Sequence, residues 1–496
     1  MSFAKIYTRG VFGLDAPSIE VEVHISQGLP SLTIVGLAEA AVRESKDRVR
    51  SAIINSGFTF PTKRLTINLA PADLPKEGTR LDLPIALGIL IASGQIPSIP
   101  SENYEFIGEL SLDGQLRAVS STLTIAMACE QQQRALFLPY HNADEANQLT
   151  HLEVYPAQSL KEVCNHFLNI NKLQKLTKKQ SISFQQEDTL DLIDIKGQKR
   201  PRRALEIAAA GGHSLLFRGP PGTGKTMLAS RLPSILPPLK ELECLQVANI
   251  YSIAKKPYQF GHRPFRAPHH SASHIALVGG GSSPRPGEIT LAHLGVLFLD
   301  ELSEFNRKVI ESLRQPIEEK EVTISRASSQ ITFPASFQLI AAMNPCPCGY
   351  AFHEDSRCQC TPTMIRNYQN KISGPMLDRI DLHIDVPPLS SHDLQTTTAT
   401  ESSEIVRNRV IKAYEIQLIR QNKPNYMLTP HELEKYAFLD DNCKKIISIA
   451  QERLSLSARS YHRILRLART IADLTSSKNI STTHLSEALS YRSPMQ

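Results

Sequence analysis

The sequence predicts a multidomain α/β protein that ends in an all-helical region. The chain has 496 residues, which is more than one hydrophobic core usually holds. Strand-like and helix-like segments alternate up to about residue 165, and helical patterns alone follow from about residue 400. We therefore expect an N-terminal α/β domain over residues 1–167, a linker over 168–189, a central α/β domain over 190–390 and a C-terminal helical domain over 391–496.

The first domain opens on patterns typical of both strand and helix. Residues Ile19 to Ile25 alternate apolar and polar side chains, which indicates a half-buried strand. A helix is expected from Ala41 to Ile54 and another strand from Arg64 to Leu69. The polar, lysine-containing run from Lys172 to Asp188 is typical of a solvated tether, so the first domain ends before it.

Charge and hydropathy leave several classes of partner open. The formal net charge is +6, which permits contact with nucleic acid without requiring it. The longest apolar stretch, Leu83 to Ala92, contains Pro84 and is too short to span a bilayer. The first residues lack the apolar segment of a secretory signal. We expect a cytoplasmic protein with no membrane contact.

A glycine-rich segment near residue 220 carries the strongest chemical signal. It matches G-x-x-x-x-G-K-[ST], follows an apolar strand-like run and precedes a helical pattern, which disfavours a chance glycine turn. Backbone N–H groups of such a loop cradle phosphate. We expect Lys225 to reach the β- and γ-phosphates of ATP and Thr226 to hold Mg²⁺. The segment consists of Gly219, Pro220, Pro221, Gly222, Thr223, Gly224, Lys225 and Thr226.

Polar residues end two further predicted strands of the central domain. The run from Gly295 to Leu299 ends at Asp300 and Glu301, the Walker B pattern. Asp300 is expected to orient Mg²⁺ through water, and Glu301 to polarise the attacking water. A strand from Phe337 ends at Asn344, which is in the position of the AAA+ sensor 1 residue, although Asn is also an ordinary turn former.

Two arginines complete the candidate catalytic set. Arg379 lies near the end of the central domain and could stabilise charge on the phosphoryl group bound to a neighbouring subunit. Arg459 begins a helix of the last domain and could reach back to the γ-phosphate as sensor 2. Arg463 and Arg466 share a face of that helix, and a solvated basic stripe is the alternative for them. An arginine that acts on a neighbour implies a ring or another oligomer.

Four cysteines cluster after Asn344. The pairs Cys346/Cys348 and Cys358/Cys360 form C-x-C repeats with nine residues between them. Four thiolates on a short loop can close a tetrahedral Zn²⁺ site, with His353 as a substitute ligand. The alternative is four reduced, unliganded thiols on an exposed loop.

These features occur together in one known family. The chain resembles the magnesium-chelatase-like AAA+ ATPases of the ComM/YifB type along essentially its whole length. The resemblance implies a hexameric ATPase similar to helicases that drive branch migration during natural transformation, with single-stranded and branched DNA as partners and recombination proteins as possible further partners. It rests on Gly197-Gln198, the run from Arg202 to His213, Pro264 to His270, Pro284 to Ile289 and Asn344 to Gly349.

The stretch between the phosphate loop and Asp300 is long enough for an insertion that contacts DNA. Cations interleaved with aromatic residues suit a single-strand channel, where bases stack and phosphates pair with charge. A predicted β-hairpin from Glu321 to Phe333 would place one more arginine near its tip. Structural loops with surface charge are the alternative. The DNA-contacting candidates are Lys255, Lys256, Arg263, Arg266, Arg285 and Arg326.

The first domain also resembles the Lon protease fold, an S5-like α/β domain. The segments Asp73 to Pro84 and Phe106 to Gly114 carry the resemblance. The nucleophile position falls on Arg80 and the lysine position near Leu123, and neither side chain can serve. We therefore expect an inactive domain. The expected function is an ATP-driven helicase; the alternative is a protein-remodelling ATPase like the magnesium-chelatase subunit, and a peptidase is the weakest candidate.

Overall fold

The computed structural model describes residues 2–74, 76, 78–177, 190–281, 284–325, 330–351, 357–388, 400–454 and 456–492. Its contacts divide the chain into two compact units. The first contains Met1–Ser183 together with Ala248–Phe260, and the second contains Phe184–Val247 and Gly261–Gln496. Most of the predicted linker and the predicted boundary at residue 390 lie outside the described residues, so the three-domain division stays a prediction.

The first unit holds a mixed sheet and a short parallel sheet. The four-stranded sheet has the order β1-β2-β4-β3, in which only the β3–β4 pair is parallel, and the parallel sheet has the order β5-β8-β9. The strands are β1 Phe3–Arg9, β2 Ser18–Ser26, β3 Ser31–Val35, β4 Arg64–Ala70, β5 Tyr104–Phe106, β6 Glu109–Leu110, β7 Leu116–Arg117, β8 Ala135–Pro139 and β9 Val154–Ala157.

Helices cover the mixed sheet because their apolar faces need burial. The helix from Asp82 to Ala92 is buried at every position and packs on β1 and β2. The predicted strands around Val21 and Ile67 and the predicted helix from Ala41 are confirmed. The helices of this unit are α1 Ala40–Asn55, α2 Asp82–Ala92, α3 Thr122–Gln131, α4 Ala143–Ala146 and α5 Leu160–Phe167.

The second unit is built on a five-stranded parallel sheet. Its order is β11-β14-β17-β10-β18, and all four neighbouring pairs are parallel. Two antiparallel pairs, β12–β13 and β15–β16, lie outside this sheet. The strands are β10 Leu215–Arg218, β11 Phe265–Arg266, β12 Gly279–Gly280, β13 Arg285–Pro286, β14 Val296–Leu299, β15 Glu321–Ser325, β16 Gln330–Pro334, β17 Gln338–Met343 and β18 Leu382–Asp385.

The helices that flank β10 in sequence and the C-terminal helices share one apolar core with that sheet. Phe217 and Phe298 from the sheet and Val410 and Leu467 from the C-terminal helices belong to the same buried cluster. The first helices are α6 Lys199–Gly211, α7 Lys225–Ser230, α8 Leu232–Ile235, α9 Glu241–Ala254, α10 His274–Val278, α11 Glu288–Leu291, α12 Arg307–Ser312, α13 Arg314–Glu319, α14 Pro362–Gln369 and α15 Gly374–Leu377.

The C-terminal part contains the five helices that the sequence predicts. Four of them begin with a Ser or Thr side chain that accepts a backbone N–H, as at Ser457 before the helix that carries Arg459. They are α16 Ser403–Gln421, α17 Pro430–Tyr436, α18 Asp441–Leu454, α19 Ala458–Leu474 and α20 Thr482–Ser490. Among the described residues, no helix is long and apolar enough to cross a membrane.

Candidate active site

The carboxyl edge of the parallel sheet collects the predicted nucleotide-binding residues. The phosphate loop follows β10, Asn344 follows β17, and Asp300 and Glu301 follow β14. These three strands are neighbours in the order β14-β17-β10. Residues that follow adjacent parallel strands meet at one edge, which is where α/β proteins bind ligands.

Glycine is required at several points of the phosphate loop. Gly222 and Gly224 have φ angles of +77° and +84°, in the left-handed region that favours glycine. Gly219 lies against the neighbouring strand end, so that a Cβ there would stand 2.3 Å from the carbonyl oxygen of Val386. The loop is therefore held in an open turn that leads directly into α7.

Lys225 points across the loop. Its Nζ donates to the carbonyl oxygens of Gly219 at 2.7 Å and Pro220 at 2.8 Å, and to Oδ1 of Asn344 at 3.1 Å. Burial lowers the pKa of Lys225, and the charges of Asp300 and Glu301 oppose that shift. A phosphate oxygen bound in the loop could replace these acceptors, and Asn344 is already within reach of the same ammonium group.

The two candidate magnesium ligands are in direct contact. Thr226 donates its hydroxyl to Oδ2 of Asp300 at 2.6 Å, and Oδ1 of Asp300 accepts the backbone N–H of Glu301 at 2.9 Å. Hydroxyl and carboxylate oxygens are the ligands that Mg²⁺ prefers. This pair of oxygens therefore fits the ion that a nucleoside triphosphate carries.

Glu301 faces a histidine whose role the sequence did not reveal. Oε2 of Glu301 lies 3.2 Å from Nδ1 of His270, and both residues line a cavity of about 290 Å³ beside Thr226 and Asp300. His270 follows β11, and Asp300 follows the neighbouring strand β14, so the adjacency of the two strands brings His270 to the site.

A second, strongly cationic site lies at the amino edge of the same sheet. It is a cavity of about 640 Å³, here named the arginine cavity, and Ser214 before β10 and Leu339 at the start of β17 form part of its wall. The four residues of β10 span about 13 Å and separate it from the phosphate loop. Its charged residues are Glu318, Lys320, Arg379, Asp381, Arg459, Arg463 and Arg466.

Arg379 and Arg459 meet in the arginine cavity. Arg379 is buried, donates Nη1 to the carbonyl oxygen of Pro375 at 2.7 Å, and places Nη2 2.8 Å from Oε1 of Glu318. Nη2 of Arg459 lies 3.4 Å from the same oxygen. The structure thus brings the two arginines together but not to the phosphate loop of their own chain, where we had expected Arg459 to reach the γ-phosphate.

Arg463 and Arg466 are not a solvated stripe. Arg463 is buried with Nε 3.5 Å from Oδ1 of Asp381, and Arg466 donates Nε and Nη2 to the carbonyl oxygen of Leu428. Burial lowers the pKa of Arg463 to about 10 and that of Lys320 to about 8. Both shifts show that the cavity holds cations at a cost that a bound anion would relieve.

The four cysteines of the C-x-C repeats converge. Their Sγ atoms all lie within 4.8 Å of one another. Tetrahedral thiolates on one Zn²⁺ would be roughly 3.8 Å apart, and three of the pairs lie at 3.3, 3.5 and 3.7 Å. A backbone hydrogen bond with Tyr350, aided by the neighbouring cysteines and opposed by burial, lowers the pKa of Cys348 to about 6, which favours the thiolate. At Cys358, a backbone hydrogen bond is outweighed by burial and the neighbouring cysteines, which raise the pKa to about 12. The substitute ligand His353 lies outside the described residues.

The cysteine loop packs on the phosphate loop. Gly349 has a φ angle of +84°, and a Cβ at that position would stand 2.6 Å from Cδ of Pro221. The backbone N–H of Ala351 donates to Sγ of Cys346 at 3.2 Å, so the same turn is tied to the cluster. Whatever fixes the cluster therefore also fixes one wall of the phosphate loop.

The DNA-contacting candidates are spread over different parts of the fold and do not form one insertion. Arg266 is in the edge strand β11 and pairs with Glu288 at 2.6 Å, and Arg263 donates to the carbonyl oxygens of Pro237 and Leu294. Arg285 is exposed in β13. Lys255 and Lys256 are exposed and belong to the first unit, and Arg326 lies outside the described residues.

The positions that correspond to a protease dyad are both buried. Arg80 lies in a short 3-10 turn, Thr79–Leu81, and Leu123 in α3. Neither side chain offers a nucleophile or a base at these positions.

Comparison with known proteins agrees with this geometry. The family model described as "Magnesium chelatase, subunit ChlI" matches residues 191–394, "Subunit ChlI of Mg-chelatase" matches 21–142, and "Magnesium chelatase, subunit ChlI C-terminal" matches 400–492. Competence protein ComM of Haemophilus influenzae is 49% identical over 99% of this chain and 98% of its own length. The protein YifB of Salmonella typhimurium is 48% identical over 99% and 97%. Lon protease 2 of Bacillus subtilis is 26% identical over 31% of this chain and 32% of its own length.

In phosphate-loop nucleoside triphosphatases, a phosphate loop and two acidic residues lie together at the carboxyl edge of a parallel sheet. The second unit has this arrangement and is of this class. The full-length relatives define the group more narrowly. The chain belongs to the ComM/YifB family of magnesium-chelatase-like AAA+ proteins.

Proposed function

We propose that this chain is an ATP-driven DNA helicase that works as a ring of six copies, binds single-stranded and branched DNA, and promotes branch migration during natural transformation. One observation carries the proposal: the candidate hydrolytic residues of one chain are divided into two halves, which lie at opposite edges of its parallel sheet. Lys225, Thr226, Asp300 and Glu301 lie at the carboxyl edge of the sheet, whereas Arg379 lies at the amino edge.

Only a second copy can join these halves. A head-to-tail contact that presents the arginine cavity to a neighbour's phosphate loop is heterologous, and such contacts close into rings when the rotation permits. Arg379 and Arg459 would then act on the triphosphate of the adjoining copy. This geometry favours two arginines acting between copies over one acting within its own chain.

Each residue of the completed site has a physical role. The ammonium of Lys225 balances charge on the β- and γ-phosphates, Glu301 polarises the attacking water, and Asn344 positions that water or a γ-oxygen. Thr226 and Asp300 would hold Mg²⁺, which when bound would supply positive charge that neutralises the phosphate oxygens. The guanidinium of Arg379 compensates charge that develops on the transferred phosphoryl group.

The DNA part of the proposal rests on the relatives and on exposed charge. The relative that shares 49% of its residues with this chain is named a competence protein. Lys255, Lys256 and Arg285 are exposed cations, and the hairpin β15–β16 leads toward Arg326. Cationic surfaces bind the phosphate backbone of any nucleic acid, and this is the contact that a translocating motor needs. In this account residues 391–496 form the helical lid, and the Lon-like first domain is no longer a protease.

ATP hydrolysis measured with and without DNA tests the proposal. We expect single-stranded and forked DNA each to raise the hydrolysis rate severalfold, because DNA that fills the ring aligns the sites between copies. Lys225→Ala should remove hydrolysis with or without DNA. If DNA changes neither the ATP hydrolysis rate nor the oligomeric state, the helicase is contradicted and a protein-remodelling ATPase is favoured. Peptide cleavage that survives Lys225→Ala would instead support a peptidase.

We further propose that the cysteine cluster binds one Zn²⁺ that braces the phosphate loop. Metal analysis of the purified chain should give about one zinc per copy, because four thiolates complete a tetrahedral shell. Cys346→Ser should lower that content to near zero and lower ATP affinity as well, whereas Cys443→Ala, which alters a buried cysteine elsewhere, should leave zinc in place. A stable, metal-free chain with four titratable thiols would remove the zinc site.

A further inference from the structure

One carboxylate oxygen pairs with both of the arginines that are proposed to act on the triphosphate of a neighbouring copy. Oε1 of Glu318 lies 2.8 Å from Nη2 of Arg379 and 3.4 Å from Nη2 of Arg459. A single anionic oxygen between two guanidinium groups is the arrangement that a phosphoryl oxygen would adopt in the assembled site. Within the isolated chain, the carboxylate of Glu318 therefore takes the place that a phosphoryl oxygen would have between the two arginines.

The arginine cavity is short of negative charge even with Glu318 in place. Its lining has five cations, Lys320 and four arginines, against the two carboxylates Glu318 and Asp381. Five minus two leaves three unbalanced positive charges. Nε of Arg379 and Nη1 of Arg463 are buried with no hydrogen-bond partner among the described residues. The cavity thus has positive charge for an anion that carries more negative charge than one carboxylate.

We infer that Glu318 is an internal substitute for the neighbour's phosphoryl group, which keeps Arg379 and Arg459 in place until a triphosphate bound to a second copy displaces it. The inference rests on the proposed function. The side chain of Arg379 is 7% exposed and is fixed through Pro375, whereas that of Glu318 is 48% exposed. The carboxylate is therefore the partner that can leave, and the arginine is the partner that stays.

Displacement of Glu318 has a direct route to the β-hairpin. Glu318 lies in α13, which ends one residue later, and β15 begins at Glu321. Lys320 joins the two elements: its N–H donates to the carbonyl oxygen of Pro316 at 3.0 Å, and its own carbonyl oxygen accepts the N–H of Ala335 at 2.7 Å. Exchange of the glutamate for a phosphoryl group would thus shift the end of α13, and with it the base of the hairpin β15–β16.

Assembly of Glu318→Gln tests this inference. The variable is the protein concentration at half-maximal assembly, measured by light scattering with a non-hydrolysable ATP analogue and Mg²⁺. Since a partly exposed ion pair is worth up to about 1 kcal/mol, we expect Glu318→Gln to lower this concentration roughly two- to fivefold. Glu318→Ala should act in the same direction. Glu319→Gln, which removes the same charge from the next residue of the helix, should leave it unchanged.

A second substitution separates this role from a merely structural one. On an Arg459→Gln background the shift caused by Glu318→Gln should shrink, because one of its two partners is already absent. A glutamate that only stabilised the fold would give a lower melting temperature and weaker assembly. If the wild-type chain assembles but Glu318→Gln needs the same or a higher protein concentration for half-maximal assembly, the inference is overturned and the proposed function is not. A wild-type chain that never assembles with the analogue would overturn the proposed function and this inference together.

Discussion

Replacing Glu301 by Gln is expected to leave ATP binding intact and to slow hydrolysis about 10²- to 10⁴-fold. Glu301 lies one residue beyond Asp300, and its carboxylate faces His270 in the cavity that Thr226 and Asp300 also line. We therefore expect Glu301 to act on the attacking water and not on the cradle that holds phosphate. The ATP affinity is measured by fluorescence of a bound nucleotide, and the hydrolysis rate is measured at steady state.

The matched control for this substitution is Glu304→Gln. Glu304 lies three residues further along the chain and pairs with Lys371 at 3.3 Å on the surface, so that loss of its charge should change neither number. A Glu301→Gln chain that no longer binds ATP, or that hydrolyses it at the wild-type rate, would show that Glu301 does not act on the water.

Replacing Arg379 by Ala is expected to slow hydrolysis by about 10³-fold or more, the range that arginine fingers supply. ATP binding to an isolated copy should persist, because Arg379 lies at the opposite edge of the sheet from the phosphate loop. The split between binding and rate is what separates an arginine that acts on a neighbour from one that holds nucleotide within its own chain.

Burial of Arg379 calls for two controls. Arg379→Lys keeps the charge and most of the packing, so that its melting temperature should match the wild type while its rate stays low, since Lys lacks the planar fork. Arg366→Ala removes an exposed arginine from α14 of the same unit and should leave the rate unchanged. Equal losses of rate and of ATP affinity in Arg379→Ala would contradict a role at a neighbour's site.

The sequence was sufficient to predict that the phosphate loop, Asp300 and Asn344 meet at the carboxyl edge of the sheet. The loop from Gly219 to Thr226 has its own chain signature, and strands that end in Asp300 and Asn344 have to meet it if they are parallel neighbours. The cysteine pairs were equally informative, because four thiols with short spacings can converge on one point. The hairpin over residues 321–334 and the five C-terminal helices followed from local periodicity.

The arginine cavity could not be found in this way. Arg379, Arg459 and Glu318 are far apart in sequence, and only the tertiary packing that seats α19 on α6 and α16 brings them to one cavity. Local pattern also placed Arg266 in an insertion, whereas a two-residue edge strand and the ion pair with Glu288 hold it in the sheet. Ala248–Phe260 groups with residues that lie far earlier in the chain, which no pattern of short range can report.

A mixing experiment tests the central claim most directly, namely that one copy's triphosphate is hydrolysed with the help of the next copy's arginine. Glu301→Gln and Arg379→Ala chains are each expected to be nearly inactive, but a mixed ring would contain interfaces at which an intact Glu301 meets an intact Arg379. We predict that mixing the two variants restores hydrolysis, with a maximum near equal proportions. Mixtures that stay as inactive as either variant alone, while still forming rings, would contradict the account.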